Sequence, residues 1–117
     1  MRIGFSGHQD IPIDAYDFIK SEIANALEHV SEFTGISSLA AGADQLFSEL
    51  VIERGGRLEV VIPCKEYEKT FKDEGALNRF FQLINCAAFV ETLDYREPSE
   101  DAFLEAGHRV VDRSDIL

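Results

Sequence analysis

The alternation of apolar runs with longer stretches of helical periodicity constrains the fold of this chain more than any other feature. Three apolar runs, at residues 2–6, 34–39 and 58–62, are each followed by a stretch in which apolar residues recur every three or four positions. Connections of that length between strands are crossovers, which join parallel strands. We therefore predict an α/β, Rossmann-like three-layer domain, with a mostly parallel sheet of about four to five strands and flanking helices.

The individual elements follow from the same periodicity. The first helical stripe runs from Tyr16 to Phe33, and the second helix begins at Gln45 and ends before Gly55. A fourth strand is expected at residues 86–90, and Ser99 is expected to cap a last helix. The aromatic residues of the third helix and fourth strand are expected in the core by their spacing: Phe80, Phe81 and Phe89.

Charge limits the partners of the chain. With 22 acidic and 11 basic side chains among 117 residues, the formal net charge is −11. Such a surface repels a phosphate backbone, so nucleic-acid binding is not expected. A small anionic ligand remains possible, because backbone N–H groups can bind it locally.

Cysteine and histidine usage points to an ordinary cytoplasmic protein. Cys64 and Cys86 are too few for a disulfide scaffold or a cysteine zinc site, and the three histidines are too far apart for a metal motif. No leader and no apolar run near eighteen residues is present, so neither secretion nor membrane spanning is expected. We predict a cytoplasmic location and neither a metal nor a cofactor.

Two loops at predicted strand ends carry the strongest functional signal, since ligands of open parallel sheets bind at the carboxyl ends of the strands. In the first loop a glycine allows close approach and a histidine can donate, accept or stack. In the second, a glycine exposes the N–H groups that begin a helix, which suits a phosphate or a ribose. The candidate ligand-binding residues of these loops and of the third strand end are Ser6, Gly7, His8, Ala41, Gly42, Ala43, Asp44 and Pro63.

Asp44 allows two interpretations. A carboxylate at a helix start commonly caps the N–H groups there, in which case the turn is simple close packing. It would repel a phosphate, but it can accept hydrogen bonds from a ribose hydroxyl or a base amino group. Two further residues have functional alternatives: Cys64 as a nucleophile beside Lys65 rather than a buried thiol, and His108 as a phosphate contact rather than a solvated residue.

Taken together, three segments resemble the SLOG superfamily, which is named for the Smf/DprA and Lonely Guy (LOG) proteins. They read GFSGH at residues 4–8, GISSLAAGAD at 35–44 and VVIP at 60–63, with Tyr67 and Phe71 after them. The likeness covers nearly the whole chain and is greatest to small bacterial members that open with a Gly-His pair. It implies a Rossmann-like domain that binds nucleotides or nucleotide-derived ligands, often as a sensor and commonly as a homodimer.

The chain also differs from the enzymes of this superfamily in one motif. LOG enzymes hydrolyse the N-glycosidic bond of a nucleotide with an arginine and a glutamate beside a PGGxGT loop, and no PGGxGT occurs here. Residues 1–117 are thus expected to form one SLOG-like domain that lacks the final strand and the glycine-rich loop. No catalytic residue is assigned.

Three functions remain open from the sequence. The first is a domain that binds or senses a nucleotide or nucleotide-derived small molecule, which is the one we expect. The second is a LOG-type phosphoribohydrolase, and the third is a non-catalytic interaction module that pairs with another chain. A homo-oligomer is expected from the resemblance.

Overall fold

A computed structural model describes residues 1–5, 13–28 and 32–115. Within them, four strands form one sheet in the order β1-β2-β3-β4, and every neighbouring pair is parallel. This confirms the predicted α/β fold and its parallel sheet. The strands are β1 (Arg2–Gly4), β2 (Thr34–Ser37), β3 (Arg57–Ile62) and β4 (Phe89–Thr92).

In the part of the chain that the structure describes, four helices alternate with the strands, and two of them begin at side-chain caps. The helices are α1 (Ile13–Glu28), α2 (Ala43–Glu53), α3 (Glu74–Cys86) and α4 (Glu100–Arg113), and a short 3-10 helix spans Tyr67–Thr70. Ser99 Oγ accepts a hydrogen bond from the backbone N–H of Ala102 at 3.0 Å, which confirms the predicted cap. None of the helices among the described residues is long and apolar enough to cross a membrane.

The helices form two layers on opposite faces of the sheet. Because the strands follow one another in order, the three crossovers all run in one direction, and their common hand places α1, α2 and α3 on the same face. Helix α4 lies on the other face, in contact with β1, β2 and β3. The result is the predicted three-layer arrangement, with the larger core under α1–α3 and the smaller under α4.

The alternation of side chains along β3 divides these two cores. Leu58, Val60 and Ile62 are buried against α1–α3, whereas Val61 packs with Ile36 toward α4. Every apolar residue of this strand is buried, as expected for a parallel strand covered on both faces.

Three sequence predictions are corrected by the structure. Helix α1 spans Ile13–Glu28, so Phe33 is buried but does not belong to that helix as predicted. Strand β4 begins three residues later than expected, at Phe89. Phe80 is buried, but Phe81 and Phe89 are each 47% exposed, so they are not core residues. Adjacent residues of a helix point about 100° apart, so only Phe80 of that pair faces the sheet. Phe89 lies on the edge strand, where the Arg113 guanidinium covers its ring at 5.0 Å from the centroid.

A cluster of ion pairs joins α4 to the sheet. The guanidinium of Arg2 makes two hydrogen bonds to the Glu59 carboxylate, of 2.6 and 3.1 Å, and Arg113 reaches Glu59 at 3.5 Å. The other amino group of Arg113 bonds Glu91 at 2.8 Å, and Arg109 bonds the second oxygen of Glu91 at 2.7 Å. Thus β1, β3, β4 and α4 are held by one chain of charge-assisted hydrogen bonds.

This cluster predicts an acid-sensitive contribution to stability. The hydrogen bond from Arg2 lowers the pKa of Glu59, with Arg113 and Arg57 adding in the same direction against the opposing effect of burial. The contribution is therefore complete above the ordinary glutamate pKa of about 4.3 and is lost as the pH falls through the lower folded value. We expect Glu59→Gln to reduce the free energy of unfolding at pH 7 by about 1–3 kcal/mol, as measured by urea unfolding.

The control is Glu105→Gln, because the Glu105 side chain is 41% exposed and its pair with Arg109 spans 3.6 Å. That change should alter stability by less than about 0.5 kcal/mol. The loss caused by Glu59→Gln should shrink below about pH 4. A loss of equal size at pH 7 and pH 3 would show that the charge of Glu59 contributes nothing.

Candidate functional site

The turn between β2 and α2 is held in an unusual backbone conformation. Leu39 has a positive φ of 57° although it carries a side chain, and Gly42 has φ 91° and ψ −127°. Ser37 Oγ accepts a hydrogen bond from the Leu39 N–H at 3.1 Å. A residue other than glycine would be strained at position 42, so the backbone itself requires Gly42 there.

Gln45 fixes this turn from inside the protein. Its side-chain amide donates to the carbonyl oxygens of Leu39 at 3.3 Å and Ala76 at 2.9 Å, so it joins the turn to the first residues of α3. The side chain is 1% exposed, and its Oε1 has no hydrogen-bond partner among the described residues. Gln45 is thus a buried polar bridge that sequence periodicity alone did not identify.

Asp44 lies in the first turn of α2, after the N-cap residue Gly42 and Ala43. The residue is 5% exposed, and its backbone oxygen accepts a hydrogen bond from Ser48 Oγ at 2.9 Å. The positive end of the α2 dipole favours a negative charge at this position. Asp44 therefore combines a helix-start position with a buried carboxyl group.

The Asp44 side chain lines a cavity of about 150 Å³ at the carboxyl ends of β1–β3. Pro63 follows β3 at the same cavity, and α4 closes its far side. Asp44 is the only ionisable carboxyl group among the described residues that line it. The other described lining residues are apolar, small or hydroxyl-bearing: Phe5, Ser38, Ala40, Tyr67, Phe103, Ala106, Gly107 and Val110.

Tyr67 supplies a protonated phenol to this cavity. Burial raises the pKa of Tyr67, and the nearby Asp44 carboxyl group and Cys64 raise it further. The phenol therefore stays neutral at physiological pH and is available as a hydrogen-bond donor or acceptor. Its ring packs edge-on against Phe71, Phe80 and Phe103.

A second cavity lies on the other side of Tyr67. It has a volume of about 360 Å³ and is bordered by Ala41 and Tyr67, with Thr70, Lys72 and Asp73 from the segment before α3. Lys72 gives this cavity a cation, which is absent from the described lining of the first. The two cavities thus share Tyr67 and differ in their described charges, with Asp44 in the first and both Lys72 and Asp73 in the second.

The predicted site residues are partly brought together. Asp44 and Pro63 line the first cavity, and Ala41 borders the second. Gly42 and Ala43 form the start of α2 but are not among the described lining residues of either cavity. The residues of the first predicted loop lie outside the described residues: Ser6, Gly7 and His8.

The sequence did not identify the residues that α4 and the 3-10 helix contribute. Phe103 and Gly107 are four residues apart on α4, and both reach the cavity because α4 crosses the sheet on the face opposite α2. Hydrophobic periodicity shows which side of a helix is buried, but it does not show which strand end the helix approaches. The aromatic Tyr67 after a strand-ending proline was the one usable signal.

The alternative functional residues find no support. Cys64 is fully buried, and burial raises the pKa of its thiol, which is the opposite of what a nucleophile needs. His108 lies exposed on α4, on the solvated side of the helix. In the part of the chain that the structure describes, no three histidine, cysteine or acidic side chains are grouped as metal ligands would be.

The role of Gln45 gives a prediction on stability. Gln45→Ala removes two hydrogen bonds and leaves two buried carbonyl oxygens without their partner, in addition to a cavity. We expect the free energy of unfolding to fall by roughly 2–4 kcal/mol, as measured by denaturant titration.

Gln82→Ala is the matched control, since Gln82 is exposed on α3. It should change stability by less than about 0.5 kcal/mol. If the two variants were equally stable, the bridge between the turn and α3 would contribute nothing to the fold.

The fold is similar to that of DNA processing protein A (DprA) from Streptococcus pneumoniae, as seen in its X-ray structure. The TM-score is 0.65 at 16% sequence identity, and the match covers 97% of this chain and 38% of that one. At this identity the likeness establishes the fold, and the chain spans well under half the length of the structure that it matches. No protein-family model matches the chain, and no curated protein matches it.

Proposed function

We propose that this chain is a SLOG-type domain that binds a nucleotide or a nucleotide-derived small molecule in the cavity beside the start of α2. The observation that carries the proposal is the buried Asp44 carboxyl group at the carboxyl end of the parallel sheet. Ligands of open α/β sheets bind in this position, where helix starts converge.

The chemistry of the cavity suits the ribose or base of such a ligand. The Asp44 carboxylate can accept hydrogen bonds from ribose hydroxyls or from an exocyclic amino group, and the Tyr67 phenol can donate or accept. The ring of Phe103, which is 44% exposed at the cavity, offers a stacking surface. A carboxylate, a phenol and an aromatic face together resemble the polar and apolar mixture of small-molecule sites.

The fold likeness to a DNA processing protein supports nucleotide chemistry of some kind, and the charge of the chain argues for a small ligand over a polymer. The net charge of −11 opposes the approach of a nucleic-acid backbone. We therefore propose a monomeric ligand. A cytoplasmic location and a homo-oligomer remain predictions.

Binding is favoured over hydrolysis of a glycosidic bond. By the resemblance, LOG enzymes cleave the N-glycosidic bond with an arginine and a glutamate beside a PGGxGT loop, and no PGGxGT occurs in this sequence. The described residues that line the cavity include the Asp44 carboxyl group but no arginine. This supports a ligand-binding domain, in which Asp44 orients the ligand.

Calorimetric titration of the chain with nucleosides, nucleoside monophosphates, cyclic nucleotides and ADP-ribose tests this function. At least one of them should bind, and a hundredfold excess over its Kd should stabilise the fold by about 2.7 kcal/mol. Asp44→Asn keeps the shape of the side chain but removes its charge. It should weaken binding by about 10- to 100-fold, since hydrogen bonds to charged groups contribute about 1.5–3 kcal/mol.

Asp101→Asn provides the control, because Asp101 is an exposed carboxylate in the first turn of α4. It should leave the affinity unchanged. Absence of binding by every compound, or equal affinity of the wild type and Asp44→Asn, would contradict the proposed function.

A further inference from the structure

Helix α4 contributes a glycine to the wall of the first cavity. Gly107 lies in the interior of α4 and lines the cavity together with Phe103, one turn before it. Glycine in a helix interior is less stable than alanine, because it loses more conformational freedom on folding. A glycine at this position therefore calls for a physical reason.

Packing against the described residues does not provide that reason. A Cβ atom built on Gly107 meets no atom of the described residues within 4 Å. Gly35 is a contrasting case, since a Cβ there would lie 2.5 Å from a methyl group of Val51 and its absence is required by close packing. The α4 backbone is also helical at Gly107, so no unusual φ demands a glycine.

The size and charge of the cavity limit what could fill the space in front of Gly107. A volume of about 150 Å³ matches that of an engineered protein cavity that holds benzene, so one ring fits. The described lining contains the Asp44 carboxyl group and no lysine, arginine or histidine. A phosphate would be repelled there, whereas a neutral ring with hydroxyl or amino groups would find an acceptor.

We propose that Gly107 determines specificity by letting one uncharged ring of the ligand lie directly against the backbone of α4. Asp44 accepts hydrogen bonds from the hydroxyl or amino groups of that ring, and any phosphate of the ligand stays outside the cavity. The ring is either the ribose or the base of a nucleoside. This inference rests on the proposed function and adds to it that the recognised part is neutral.

Gly107→Ala tests the inference because its two expected effects have opposite signs. The added methyl group should raise the melting temperature of the free protein by about 4 °C through helix propensity. It should weaken binding of adenosine, guanosine, cytidine or uridine by at least tenfold, because it occupies the space of the ring. His108→Ala is the control, since His108 is exposed on the same helix; its melting temperature should also rise, with binding unchanged.

The possible outcomes separate this inference from the function on which it rests. Nucleoside binding that Gly107→Ala leaves unchanged, or a lower melting temperature of that variant, overturns the role of Gly107 alone. Binding of nucleotides but of none of the four nucleosides overturns the neutral ring and leaves the proposed function standing. Absence of binding by all compounds overturns both. With 2′,3′-dideoxyadenosine and purine riboside, weaker binding of the first assigns the ribose to the cavity, and weaker binding of the second assigns the base.

Discussion

The attachment of α4 to the sheet is the constraint on which the site depends. The inner side of α4 is formed by small side chains, Ala102, Ala106 and Val110, which bury little apolar area but let the helix lie close to the strands. This short apolar stripe alone does not fix the orientation of α4 on the sheet. The ion pairs of Glu59 and Glu91 with arginines of β1 and α4 fix it. Because α4 is the far wall of the cavity, the position of the cavity follows from these pairs.

The parallel sheet explains why the cavity lies where it does. Because β1, β2 and β3 are parallel, α2, which follows β2, begins at the same edge at which β1 and β3 end. The three crossovers run in one direction and place α1–α3 on one face. The start of α2 therefore meets the open space beside β1 and β3, and α4 closes that space from the opposite face. A site formed by elements on both faces of a sheet is available only at its edge, which agrees with the general placement of ligands in such folds.

Sequence periodicity predicted the fold well, because strand and helix periods depend on local burial. The sequence also indicated a turn at Gly42 before a helix, and the structure places Gly42 and Asp44 at the start of α2; their role in binding stays a prediction. The α4 residues that line the candidate cavity were not predicted. Gly107 belongs to no sequence motif that indicates a binding site. It lines the same cavity as Asp44 because α4 crosses over the sheet. Phe89 was misassigned because periodicity does not distinguish an edge strand from a covered one. Phe81 was misassigned because only its neighbour Phe80, about 100° away around α3, faces the sheet.

The two glycines of the site illustrate different physical demands. Gly42 adopts a φ of 91°, so the fold requires it whether or not a ligand binds. Gly107 has helical geometry, and no atom of the described residues lies within 4 Å of the position that a Cβ atom would take. The backbone therefore explains Gly42, whereas a bound group is our proposed explanation for Gly107.

The most direct test of this account is an NMR titration of the 15N-labelled chain with the nucleoside that binds most tightly. The account predicts that amide shifts change most at Ala40, Asp44 and Gly107, on both walls of the cavity, while those around Gly55 at the opposite edge of the sheet stay constant. Shifts that cluster at the opposite edge, or that affect α2 without α4, would contradict it.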